Sequence, residues 1–125
     1  MNTCSKQQLT GDKKMGQYHK VYNIDKKQYI HGHRIDNGLK LLEQVGFEKS
    51  TASAVFLLLA NSNGRGGGDA YAHNLIGSWA GDRIVVQGDY AERSDQSYLS
   101  DKEISSYEDI SGNVKNMLDA VFGDE

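Results

Sequence analysis

The sequence predicts a single α+β domain, built on a mainly antiparallel sheet with helices packed on one face. Three observations point there. Two short runs rich in aromatic and β-branched residues, 18–23 and 27–33, lie three residues apart and read as a hairpin. Two short apolar runs, 54–60 and 84–86, stand on either side of a glycine-rich stretch. The last quarter then changes to helical spacing, with Ile104, Tyr107 and Ile110 followed by Val114, Met117, Leu118 and Val121. The order β-β-α-β-loop-β-α suits a sheet covered by helices.

Each element has its own local grounds. Residues 1–14 are polar, with Lys6, Lys13, Lys14 and only Leu9 apolar inside them, and read as a disordered leader; the domain then spans 15–125. In the first strand Tyr18, Lys20 and Tyr22 share one face while His19, Val21 and Asn23 share the other, so neither face declares itself the buried one. Asp36 is placed to cap a short helix carrying Leu39, Leu41, Leu42 and Val45, with Gly46 as its stop. The run Val55-Phe56-Leu57-Leu58-Leu59 fits a buried central strand because a glycine loop follows at once, although periodicity alone does not separate it from a buried helix. Ile84-Val85-Val86 reads as a second such strand. Ser100 and Glu103 have capping-box spacing, Ser111 is a second N-cap candidate after the break at Ser111-Gly112, and Gly123 ends the last helix.

Composition limits the function classes. With 125 residues, 38% hydrophobic and 25% charged, the chain has the balance of a globular domain that needs no staples. No apolar run approaches a membrane span, and the N-terminus lacks the apolar core of a signal peptide. A lone Cys4 excludes an internal disulfide and fits the reducing cytoplasm. The net charge of -3 is segregated: residues 1–60 hold nine basic and five acidic groups, residues 61–125 five basic and twelve acidic. Without a basic cluster the chain lacks the electrostatic footprint of a nucleic-acid binder, whereas an acidic C-terminal third suits a basic protein surface.

Half of the fourteen glycines fall between Gly64 and Gly88, together with the only tryptophan, Trp79. Glycine carries the largest entropic cost of ordering, so such a cluster marks backbone that bends sharply or approaches something closely. Arg65, Gly66, Gly67, Gly68 and Asp69 invite an anion-binding reading through successive backbone N–H groups, but the run matches neither Gly-x-x-x-x-Gly-Lys-Ser/Thr nor Gly-x-Gly-x-x-Gly. Trp79, Asp82, Arg83 and Asp89 complete the candidate surface, with Arg65 and Arg83 as forked cations for a phosphate or carboxylate. Asp82 and Asp89 flank a strand at odd spacing, so they read as turn and strand-end residues rather than a catalytic dyad. Ser78 stands one position early for a Gly-x-Ser-x-Gly elbow. His31 and His33 would share a strand face as weak metal ligands, with Asp69, Asp82 or Asp89 as completing oxygens.

Several ordered motifs also carry a resemblance. Met15-Gly16-Gln17-Tyr18, Asn23-Ile24-Asp25-Lys26-Lys27, Gly38-Leu39-Lys40-Leu41-Leu42-Glu43, the Gly-Gly-Gly-Asp loop ending at Asp69 and the Trp-Ala-Gly-Asp-Arg segment from Trp79 to Arg83 resemble a group of small, functionally uncharacterised proteins of bacteria and their phages. The resemblance covers about residues 15–92; Gly32 departs from it, since relatives often carry proline there. It implies a cytoplasmic, phage-type protein and no activity. The expected function is a non-enzymatic binding module without a cofactor, engaging a partner protein or a small anionic ligand. An inhibitor of a host defence system would suit its size and acidity. The alternative is a metal- or Arg-assisted hydrolase of a phosphorylated small molecule, using Arg65, Asp69, His73, Asp82 and Asp89.

Overall fold

A computed structural model describes residues 16–70 and 73–123; the expected leader, with Cys4, lies outside the described residues. The elements are β1 (His19–Asn23), β2 (Gln28–Ile30), α1 (Thr51–Leu59), β3 (Ile84–Gly88), a one-turn α2 (Asp101–Ile104), β4 (Glu108–Asp109) and α3 (Ser111–Phe122), with 3-10 turns at Gly32–Ile35 and Leu41–Gln44. The sheet runs β3-β1-β2-β4. β1 pairs antiparallel with β2, placing Val21 opposite Ile30, and with β3, placing Val21 opposite Val86. Only the two-residue β4 lies parallel, beside β2. The domain is therefore α+β with a largely antiparallel sheet.

The face bearing Val21 and Ile30 is the buried one. Ala54 and Leu58 of α1, Val114, Met117 and Leu118 of α3, and Trp79 close over it, and burying such side chains stabilises by about 1.5–3 kcal/mol each. The opposite face carries Lys20, Tyr22 and Tyr29. Tyr22 is nevertheless buried, because the chain around α2 lies across it and Tyr107 meets its ring edge-on at 6.1 Å.

The apolar run at 54–60 is a helix, not the expected central strand. Both neighbours of the central β1 are already supplied by β2 and β3. Locally, Ser50 Oγ accepts from Ser53 N at 3.0 Å as an N-cap, and the alanines and leucines that follow are good helix formers. The helix's last carbonyls are closed from outside it: Gly77 N donates to Leu57 O at 3.0 Å and Trp79 N to Leu58 O at 2.9 Å. Gly77 is obligatory there, since its φ is +86° and a Cβ would stand 2.8 Å from Ala60 O.

Other expectations shift by a turn. Asp36 does not start a helix; it is the left-handed C-cap of the first 3-10 turn, at φ 65°. The predicted helix over Leu39 to Val45 shortens to the second 3-10 turn. Two buried amides hold this region in place of a helical ladder: Asn37 Oδ1 accepts from Thr51 N and Oγ1, and Gln44 Nε2 donates to the carbonyls of His19 and Leu39. The Ser100–Glu103 capping box forms as expected. Ser111 opens α3, but its hydroxyl turns away from the helix to accept from His31 N at 2.7 Å.

Candidate functional site

The glycine loop closes on itself. Asp69 Oδ2 accepts from the backbone N–H groups of Gly64, Arg65 and Gly66 at 2.8, 2.7 and 3.0 Å. These bonds hold the Asp69 carboxyl below its ordinary range. The sequence proposed an anion nest here, and the nest exists, but the anion in it is the chain's own carboxylate. Gly66 and Gly67 face open space, so no close packing explains them.

The second candidate segment is a brace for the hairpin. Asp82 accepts from Asn23 Nδ2 at 2.9 Å and from Lys26 Nζ at 2.7 Å. Arg83 reaches Asp25 through its backbone N–H, Nε and Nη2 at 2.7–3.0 Å. These contacts lower the pKa of both aspartates, chiefly through Lys26 for Asp82 and Arg83 for Asp25. Trp79 is wholly buried, with Nε1 donating to Gln28 Oε1 at 2.7 Å. It belongs to the core and offers nothing to a partner.

Asp89 lies beyond the far end of β3, accepting from Tyr18 N at 3.0 Å. Asp82 and Asp89 thus bracket the strand from opposite ends, about 23 Å apart at strand rise. The five residues of a hydrolase reading do not converge. His73 Nδ1 accepts locally from Leu75 N, and Ser78 Oγ is buried without a hydrogen-bond partner to activate it. His31 and His33 do not share a strand face, since β2 ends at Ile30; their rings stack at 5.9 Å instead. Among the described residues, no three His, Cys, Asp or Glu side chains gather to hold a metal.

Among the cavities formed by the described residues, a polar cleft and an apolar groove lie on opposite sides of the sheet. The polar cleft, about 480 Å³, is lined by Lys20, Tyr22, His31, Tyr98, Asp89 and Asp101 among others. Burial lowers the His31 pKa and lifts that of Tyr22 to about 12, so both are neutral near pH 7. Lys20 therefore faces two carboxylates, and the cleft has no cationic excess.

The other region is apolar and was missed by the sequence reading. A groove of about 270 Å³ runs between α1, the second 3-10 turn and the sheet, walled by Leu41, Val45, Val55, Phe56, Leu59 and Val86. Phe56 is 80% exposed and Leu42 78%, and Leu41, Val45, Phe47 and Val86 are also exposed. The signal was present: once residues 51–59 are a helix, a continuous apolar run must put some of its large side chains on the outer face. Among the described residues, no helix is long and apolar enough to cross a membrane. No protein-family model matches the chain, and no curated protein or solved structure matches it either.

Proposed function

We propose that this protein is a small binding module that engages a partner protein through the apolar face formed by α1 and the Leu41–Gln44 turn. The observation carrying this reading is the exposure of Phe56 and Leu42 beside a groove whose walls are mostly apolar. Contiguous apolar surface of this kind is a hallmark of protein interaction sites. Exposed Lys40 stands with exposed Glu43 and Glu48 in the same stretch, so the rim is mixed in charge and the apolar contact carries the reading. A small anionic ligand is less well supported: the glycine nest is filled by Asp69, and the polar cleft sets one lysine against two aspartates.

The sequence resemblance extends the proposal to a cytoplasmic, phage-type protein, for which inhibition of a host defence component is a fitting role. The test compares capture from bacterial cytosol by the wild-type chain, Phe56→Ser and Arg65→Ala. The captured protein is then purified and titrated calorimetrically. Binding lost in Phe56→Ser, retained in Arg65→Ala and accompanied by a negative heat-capacity change supports the apolar face. Binding lost only in Arg65→Ala returns the site to the glycine loop.

A further inference from the structure

We propose that the polar cleft, on the side of the sheet away from the apolar groove, binds a small zwitterion bearing an amine, a carboxylate and an apolar side group, the chemistry of a free α-amino acid. The cleft follows from how the chain leaves β3. Gln87 stands opposite Lys20 in the β1–β3 ladder. Its side chain exchanges two hydrogen bonds with the backbone of Leu99, Nε2 donating to the carbonyl and Oε1 accepting from the N–H, both at 2.8 Å. This clamp, with the buried Leu99 side chain, holds the segment after β3 over the polar face of the sheet. Floor and roof enclose about 480 Å³, within the range of small-molecule sites.

Both signs of charge line this space without neutralising each other. Lys20 rises from the floor, and Asp89, two residues past Gln87, is its diagonal neighbour, about 7–8 Å away in such a ladder. Asp101 stands in the roof. Among the described residues Lys20 pairs with neither carboxylate; its Nζ lies 5.6 Å from the centre of the Tyr29 ring. Asp89 commits one oxygen to Tyr18 N, and the exposed Asp101 carboxylate is bonded to no described residue.

Tyr22 supplies the observation that points to a ligand. It is only 7% exposed, yet its hydroxyl has no partner among the described residues, whereas a buried tyrosine hydroxyl usually finds one. Burial, and then Tyr29, Asp101 and Asp89, raise its pKa to about 12, so it stays protonated and can donate. Lys20 and Tyr22 share a strand face and together present two donors to a carboxylate. Asp101 and the second oxygen of Asp89 present acceptors to an ammonium. A ligand with a single charge is opposed in this cleft: a cation meets Lys20, and an anion meets two aspartates. A zwitterion satisfies both sets. Leu39, Ile104 and the Tyr98 ring give its side group an apolar lining. None of these residues lines the apolar groove, so the site is independent of the partner face.

The isotope-labelled full chain is titrated with L-phenylalanine, with phenethylamine, which keeps only the amine, and with phenylpropionate, which keeps only the carboxylate. L-phenylalanine should shift the amide resonances of Tyr22, Gln87 and Asp101 saturably. Each analogue should bind about 10–100-fold more weakly, the loss of one charge-assisted contact. Lys20→Met and Asp101→Asn should each weaken L-phenylalanine binding by a similar factor at unchanged melting temperature, since neither side chain makes an ion pair or hydrogen bond among the described residues. The wild-type ligand series decides the matter even if a variant does not fold. No saturable shift at the cleft, equal affinity for either analogue, or unaltered binding in both folded variants overturns the inference. Phe56→Ser should bind L-phenylalanine as the wild type does, so loss of this site and loss of partner capture are separable.

Discussion

Replacing Trp79 with phenylalanine tests whether this residue is the keystone of the core rather than a surface contact. The indole is fully buried, its Nε1 donates to Gln28 Oε1 at 2.7 Å, and its backbone closes the end of α1 on Leu58 O. The backbone contact survives the substitution; the side-chain contacts do not. Leaving the Gln28 oxygen without its donor costs about 1 kcal/mol. The space vacated by the smaller ring adds about 1–3 kcal/mol, a fraction of the 3–5 typical of complete Trp truncation. The sum, about 2–4 kcal/mol, corresponds to a fall of about 10 °C in Tm for a domain of this size. Urea unfolding followed by circular dichroism measures it, since the variant lacks the only tryptophan. In the wild-type chain that tryptophan is its own control: its emission should be blue-shifted and resistant to iodide quenching. A loss below about 1 kcal/mol, or iodide-quenched emission, would refute the assignment of Trp79 to the core.

Two further outcomes follow from the carboxylates and imidazoles. Asp69→Ala should release the N–H groups of Gly64, Arg65 and Gly66, and inorganic phosphate should then shift those three amide resonances in the variant but not in the wild type. Equal shifts in both chains would show that Asp69 does not occupy the nest. Acidification should weaken the fold in two stages. Burial holds the pKa values of His19 and His31 below 6.5 in the folded chain, so the unfolded chain takes up these protons first. Their stability contribution is fully present above pH 6.5 and is lost as pH falls through the folded values. Asp25, Asp69, Asp82 and Asp119 are held below 3.8 by their partners and give a second decline below that pH. A urea midpoint that rises as pH drops through 6.5 would contradict the first stage.

The legible part of this sequence was its local chemistry. The hairpin, the β3 strand, the capping box at Ser100 and the glycine stop at Gly123 each depend on a few neighbouring residues, and each formed where those residues stand. The candidate acids were likewise read correctly as turn and strand-end groups, because strand parity alone forbids Asp82 and Asp89 a shared face. What escaped was set by distant partners. Asn37 and Gln44 replace a predicted helix with 3-10 turns by bonding to Thr51 and His19, contacts that have no local signature. His31 leaves the strand because Ser111, eighty residues on, takes its N–H.

Whether the apolar run at 54–60 is strand or helix sets how much of it reaches the surface. Read as a central strand, Val55 to Leu59 would be buried on both faces and contribute nothing to the surface. Read as a helix packed on one side of a sheet, the same residues must divide. Ala54 and Leu58 are wholly buried, while Phe56, about 200° from Ala54 at helical spacing, is thrown 80% into solvent. No sequence with apolar residues at every one of these positions can hide them all on a two-layer domain. Helix in place of strand therefore decides where the exposed apolar face lies. The glycine loop draws notice through its composition, yet its donors are already satisfied from within. The helix was unremarkable in composition and leaves an aromatic ring uncovered beside an aliphatic groove, and an uncovered ring of that size is stabilised by contact with another apolar surface.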